Sequence, residues 1–365
     1  MIAIDAIRLI DDIDLLTRST RKEKSFQERR DPFLLNDEEF RMRYRFSKGG
    51  VEKIINLVKS DISLDKRGFG TSPKLQVLVA LRCWGRREVQ GDAGDLHGLS
   101  QATVSRICVR VATALAKHAD NIIKMPETLA QEQALMRSFK AVKNFPNVIG
   151  AIDCTHIKIK KVGGDISQYY INRKGYYSLN VQVSNFDYNL TIETNKEKLY
   201  RQYVMQIGST HDCRIFDESS LKANFEEAKF KGRLLGDSGY KLTPYLFTPI
   251  LRPQNEKEER YNIAHIGTRN AIERCFGVWK QRFRCLLDGM TVSLQNAKTL
   301  IVALAVLHNF AIVENENTEE FVNNISPCNN AMLTPDRSRD EIPEGNPASQ
   351  RRANIILKMF IDSNF

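Results

Sequence analysis

The chain has 365 residues, 42% of them hydrophobic and 27% charged, which excludes a peptide, a disordered chain and a collagen-like one. Its length predicts two domains, or one large α/β domain with a smaller appendage. Lys and Arg number 54 against 44 Asp and Glu, a net charge of +10, which favours polyanionic partners such as nucleic acid or an acidic membrane face.

In chain order, the amino-terminal MIAIDAIRLIDDIDLL is broken by Asp5, Arg8, Asp11 and Asp12, unlike the uninterrupted apolar core of a signal peptide, so an intracellular chain is expected. Residues 17–30 hold six basic and two acidic side chains without apolar periodicity. Residues 1–36 are therefore read as an exposed basic arm, either a solvated tail or a phosphate contact and weak nuclear import signal. Residues 37–144 follow a helical period with breaks at 49–50, 68–73 and 91–98, which predicts a small all-α domain. Within it Ser100 suits an N-cap, and Val104, Ile107, Cys108, Val111 and Leu115 share one face. That helix follows the turn Gly94–Leu99 and a helical stretch from Pro73 to Arg87, a layout that fits a helix-turn-helix. Gln101, Thr103 and Arg106 would then face base edges, and Arg110 and Lys117 would meet phosphates. A plain helical bundle gives the same pattern.

Residues 145–313 alternate β-branched runs with helical segments, as in an α/β fold. Val148–Ile152 is an apolar run ending in Asp153, followed by period-two alternation through Lys160; one long strand or a hairpin is expected. Arg233–Leu235 is a second short run, with Asp237 just beyond its end. Glu273 sits on a helix beside the stripe of Ile272, Phe276, Trp279, Phe283 and Leu286, together with Arg269, Arg274, Lys280, Arg282 and Arg284. Two strand-borne aspartates and a helix-borne glutamate suit Mg²⁺ or Mn²⁺, which take oxygen ligands and leave room for phosphate oxygens. Two such ions about 4 Å apart can activate an attacking water and stabilise the leaving oxygen of a phosphodiester. The helix cations Arg269, Arg274 and Lys280 would hold the nucleic-acid backbone. Each acid taken alone has a structural alternative as a cap or turn former.

The seven cysteines include no CxxC pair, so reduced and mostly buried thiols are expected rather than disulfides or a zinc ribbon. His156 and His211 lack a second ligand pair and are read as structural or supporting, and His308 as a core histidine. The longest uncharged apolar stretch, Thr299–Val313, is 15 residues, short of the roughly 18–20 that span a bilayer. Residues 314–365 form a polar linker and a closing amphipathic helix around Gln350–Phe360.

Taken together, Ile152-Asp153-Cys154-Thr155-His156-Ile157, Gly208-Ser209-Thr210-His211-Asp212-Cys213-Arg214-Ile215-Phe216 and Leu235-Gly236-Asp237-Ser238-Gly239-Tyr240 resemble the PIF/Harbinger transposase family. So do Tyr261-Asn262-Ile263-Ala264-His265, Ile272-Glu273-Arg274-Cys275-Phe276-Gly277 and Arg282-Phe283-Arg284-Cys285-Leu286. The resemblance implies an RNase H-like mixed sheet flanked by helices, preceded by a helix-turn-helix domain. It also implies a divalent-metal triad on Asp153, Asp237 and Glu273, supported by His156, His211, Asp212 and His265. The implied activity is hydrolysis of DNA phosphodiesters; a DNA-binding scaffold that keeps the fold without catalysis is the alternative. A Myb/SANT-like partner protein and work in the nucleus, with the cytoplasm also open, are further expectations, and so is a homo-oligomer. No membrane partner is expected. The chain departs from the family pattern at 191–207, which is longer, with Gln206-Ile207-Gly208-Ser209 in place of a Trp-Pro-Gly-Ser turn.

Overall fold

A computed structural model describes residues 31–62, 71–86, 90–186, 189–192, 205–316 and 347–365. The basic arm up to residue 30, most of the long 191–207 segment and the linker 317–346 lie outside the described residues.

The first part is helical: α1 (Asp37–Tyr44), α2 (Lys48–Val58), α3 (Pro73–Gly85), α4 (Gln90–His97), α5 (Gln101–Lys117), α6 (Ala119–Ile122) and α7 (Leu129–Lys143). Local chemistry sets their starts. Asn36, Ser47, Ser72, Ser100 and Thr128 each accept a hydrogen bond from a first-turn backbone N–H, and Pro73 opens α3 where its missing N–H costs nothing. Gly94–His97, expected as part of a turn, instead belongs to α4, so the link to α5 is only Gly98–Ser100. Two contacts explain the difference. The backbone of Leu99 folds back so closely (its N–H to Gly94 O, 2.8 Å) that a Cβ on Gly94 would come within 2.5 Å of Leu99 O, and Gly98 takes φ +60° to close the corner.

The second part adds β1 (Val148–Lys158), β2 (Ser178–Phe186), β3 (Asn189–Ile192) and β4 (Met205–Ile207), then α8 (Asp212–Asp217), α9 (Ser220–Glu226), β5 (Arg233–Leu235) and β6 (Leu246–Phe247). Three long helices follow, α10 (Glu256–Arg282), α12 (Leu294–Val313) and α13 (Pro347–Asn364), with the short α11 (Cys285–Asp288) after α10. The sheet order is β3-β2-β1-β5-β6, with β4 also on β2. β1 is central, antiparallel to β2 and parallel to β5. It is one unbroken strand rather than a hairpin. This mixed sheet flanked by helices agrees with the expected RNase H-like core.

The helical part has no core of its own. Val104, Ile107, Val111 and Leu115 of α5 share one apolar cluster with Leu300, Ile301, Leu304 and Leu307 of α12 and with Leu179 and Val181 of β2. Ser47 adds a polar tie, its N–H and Oγ reaching the Glu316 carboxylate at 3.0 and 2.6 Å. By length and composition alone α12 could cross a membrane; here it is the helix on which the two parts meet, and most of it is buried. A second cluster continues along the same face of the sheet, under the first half of α10: Phe145, Ala151, Leu235, Phe247, Tyr261 and Ile272, closed by Leu357, Phe360 and Ile361 of α13.

Candidate active site

The sheet register brings two acids together. Ala151 pairs with Leu235 in the parallel ladder, so Asp153, midway along β1, and Asp237, just past the end of β5, each two residues further on, come side by side. The start of β5 is itself pinned: the Glu132 carboxylate of α7 accepts from the N–H groups of Lys231 (2.7 Å) and Gly232 (3.1 Å). Asp237 also caps its own turn, accepting from Gly239 N–H at 2.9 Å, and Asp153 accepts from Cys154 N–H at 2.8 Å.

A third carboxylate joins them, that of Asp212. It comes from the first residue of α8, and ligand atoms of Asp153, Asp212 and Asp237 all lie within 4.8 Å of one another. The chain reaches this position by crossing the sheet edge at Gly208, where a Cβ would meet Tyr170 O at 2.5 Å and Ser178 Oγ at 2.7 Å. Asn180 on β2 then fixes the approach, its Nδ2 donating to Thr210 O (3.0 Å) and Asp212 Oδ1 (2.9 Å).

Glu273 stands one link away. Arg269, one turn earlier on α10, donates to Asp153 Oδ2 at 3.1 Å and to Glu273 Oε1 at 2.6 Å, so its guanidinium bridges the two. Burial is the main force pushing Asp153 up to about 7, with Asp237 and Asp212 adding to it and Arg269 opposing. Asp237 is also raised, by burial first and then by the charge of Asp212, with Glu273 contributing further. Lys280, about two turns beyond Glu273 on α10, donates to Thr155 Oγ1 at 2.5 Å; burial lowers it to about 8 while Asp153 pulls the other way.

The histidines divide. His156 faces the site from β1 with Nδ1 3.1 Å from Ser178 Oγ, and burial holds it below the usual imidazole range. His211, exposed beside Asp212, has Nδ1 2.8 Å from Arg173 Nη2; the guanidinium donates, so this nitrogen accepts. His265 lies away from the acids in the core, where its Nε2–H donates to Phe247 O at 3.0 Å and burial depresses it to about 4. Its part is to lock α10 onto β6.

The α5 residues sit elsewhere. Gln101 and Arg106 are exposed and Thr103 half-exposed at its first turns, whereas Arg110 donates to the buried Gln76 Oε1 at 3.1 Å and Lys117 pairs with Asp61 at 2.7 Å. Arg274 is exposed on α10. Cys83, Cys108, Cys154, Cys213, Cys275 and Cys285 form no disulfide among the described residues.

This acid cluster coincides with a family pattern: that of the DDE superfamily endonucleases matches residues 152–309. The human protein named "Putative nuclease HARBI1" is 36% identical over 287 residues, 76% of this chain and 78% of its own. The chain belongs to the PIF/Harbinger family of DDE endonucleases. A rat protein of the same printed name is 33% identical over 89% of this chain and 91% of its own, so within the Harbinger family the likeness takes in the helical part as well. A more distant relative from Arabidopsis thaliana, "Protein ALP1-like", is 24% identical over 76% of this chain and 72% of its own. No solved structure is significantly similar to the chain.

Asp212 is the residue whose importance the sequence understated. It appears there as a companion of His211, and its one signal is its place in the Gly208–Phe216 motif. Its position against β2 is set by Asn180, 32 residues earlier, a contact no local pattern displays.

Proposed function

We propose that this Harbinger-family chain is a divalent-metal-dependent endonuclease that hydrolyses DNA phosphodiester bonds. The observation that carries the reading is the meeting of the Asp153, Asp212 and Asp237 carboxylates, all half-buried. Like charges this close are costly without a cation, and an all-oxygen donor set suits Mg²⁺ or Mn²⁺ over softer metals. The residues therefore fit the metal, with these three aspartates as its holders. A divalent cation bound there supplies Lewis-acid polarisation of the phosphodiester and acidification of an attacking water.

The remaining work falls to the chain. Arg269 and Lys280 face the acids from α10 and are placed to take a non-bridging phosphate oxygen. Glu273, held by Arg269, is a general base poised at the edge of the cluster, and His156 and His211 flank the approach. Recognition of duplex DNA falls to the first turn of α5, where Gln101, Thr103 and Arg106 are presented, with Arg274 as a further backbone contact. The net charge of +10 supports a nucleic-acid substrate. A Myb/SANT-like partner and nuclear work belong to the same reading on the strength of the family resemblance.

The test is cleavage of labelled duplex DNA with Mg²⁺ or Mn²⁺ by wild type, Asp153→Asn and Asp237→Asn, with Mn²⁺ binding followed by calorimetry. Metal-dependent nicking lost in both variants supports the nuclease. Tight DNA binding with neither Mn²⁺ uptake nor nicking would replace it with a binding scaffold.

A further inference from the structure

The segment joining β1 to β2 reaches His211, next to Asp212 of the acid cluster, and has no part in the chemistry just described. It is strongly cationic: residues 158–176 hold Lys158, Lys160, Lys161, Arg173 and Lys174 against the single acid Asp165. All five cations are exposed. Between them lies a 3₁₀ turn, Asp165–Tyr170, in which side chains three residues apart eclipse, so Ile166 and Tyr169 share a face. Ile166 is 52% exposed, Tyr169 50% and the adjoining Ile171 37%.

This platform is firmly mounted. Tyr169 O accepts from both Ser209 N–H (3.2 Å) and Ser209 Oγ (2.9 Å), and Tyr170 is buried beneath. The buried Asn172 side chain accepts from Lys174 N–H at 3.0 Å and donates to Ser178 Oγ at 3.1 Å, shaping the turn that presents Arg173. Arg173 in turn reaches His211, the neighbour of Asp212. The platform thus touches the residue that precedes one acid of the cluster.

Exposed apolar and aromatic side chains interleaved with cations match the chemistry of single-stranded DNA, whose bases stack while its phosphates follow positive charge. We propose that Ile166, Tyr169 and Ile171 stack unpaired bases of the DNA strand running from the acid cluster, with Arg173 and Lys174 holding its backbone. The preferred substrate is then a duplex with unpaired nucleotides beside the cut, an inference that rests on the nuclease reading and narrows it.

The test is fluorescence anisotropy of the full chain with Ca²⁺, comparing a blunt duplex with the same duplex carrying an unpaired tail. Stacking of one base predicts about tenfold tighter binding of the tailed form. Tyr169→Ala should abolish that preference with blunt-duplex affinity within about twofold, Tyr169→Phe should retain it, and Ile166→Asp should reduce it. Equal binding of the two DNAs by wild type, or an undiminished preference in Tyr169→Ala, overturns the proposal. Cleavage with Mg²⁺ separates the two readings. Nicking without a tail preference removes the platform and keeps the nuclease, while a Tyr169-dependent preference without nicking does the reverse.

Discussion

Two helices of this chain are rich in cations and settle them in opposite ways. On α5, Arg110 donates to the neutral amide of Gln76 and Lys117 pairs with Asp61, so each finds an acceptor and only one acid is involved. On α10, Arg269 and Lys280 face Asp153, Asp212, Asp237 and Glu273, so two cations meet four acids and negative charge remains in excess. The first arrangement is what stable packing requires. The second is destabilising as it stands, and an excess of charge kept in a half-buried place is a mark of work done there.

The largest effect that sharpens this contrast is on chemistry. Asp237→Asn should lower cleavage by about 10³-fold or more while raising the thermal midpoint of the metal-free protein, since a like charge is removed. A lowered midpoint would show that the cluster is not strained. The second concerns the composition of the metal site: Asp212→Asn should lose at least about tenfold in Mn²⁺ affinity by calorimetry, and Glu273→Gln much less, although it loses cleavage. Equal losses would make Glu273 a ligand of the same rank. Third, Arg269→Gln should lower the metal-free midpoint by several degrees, because Asp153 and Glu273 lose their shared cation, and saturating Mn²⁺ should recover most of it.

The pH dependence carries a definite sign. Asp153 is raised to about 7, so the folded protein holds a proton that the unfolded chain releases near its ordinary value of 3.8, and stability is lost as pH rises between these values. The midpoint advantage of Asp153→Asn in EDTA should therefore widen from about pH 4 to pH 7 and then level off. A constant advantage would mean an ordinary carboxyl. The smallest effects belong to α5: Arg106→Ala should weaken DNA binding a few-fold with a shallower salt slope. Arg110→Ala should instead cost about 1 kcal/mol of stability, read by denaturant titration, with DNA affinity little changed.

Much of this contrast is legible in residue order. The apolar runs leading into Asp153 and Asp237 stand out because each is closed by an acid, and the helix of Glu273 as a 3.6-residue stripe, because burial on a defined face leaves a periodic trace. The N-cap at Ser100 is equally local. The reach of α4 through Gly94–His97 is not, since glycine and aspartate read as a turn until Leu99 is seen folding back against Gly94. Nor is the third carboxylate, which depends on Asn180, nor the bond of Arg269 to Asp153, residues 116 apart. The sharing of one core between the helical part and the sheet is invisible for the same reason: apolar stripes on α5 and α12 show that each is buried, not against which partner.

The docking of α13 has a consequence for the order of synthesis. Phe360 stacks on Phe145 at 5.5 Å and meets Phe247 at 5.0 Å, and with Phe247 it flanks the guanidinium of Arg233 at the start of β5. The wall behind the strands that carry Asp153 and Asp237 is therefore finished by residues translated after every acid of the site. At about 5–20 residues per second, a ribosome leaves the nascent acids unsupported for seconds after Glu273 is made. A chain cut short before Pro347 would carry all four carboxylates and lack the backing that holds two of their strands in register, so transcripts truncated there should yield no competent nuclease.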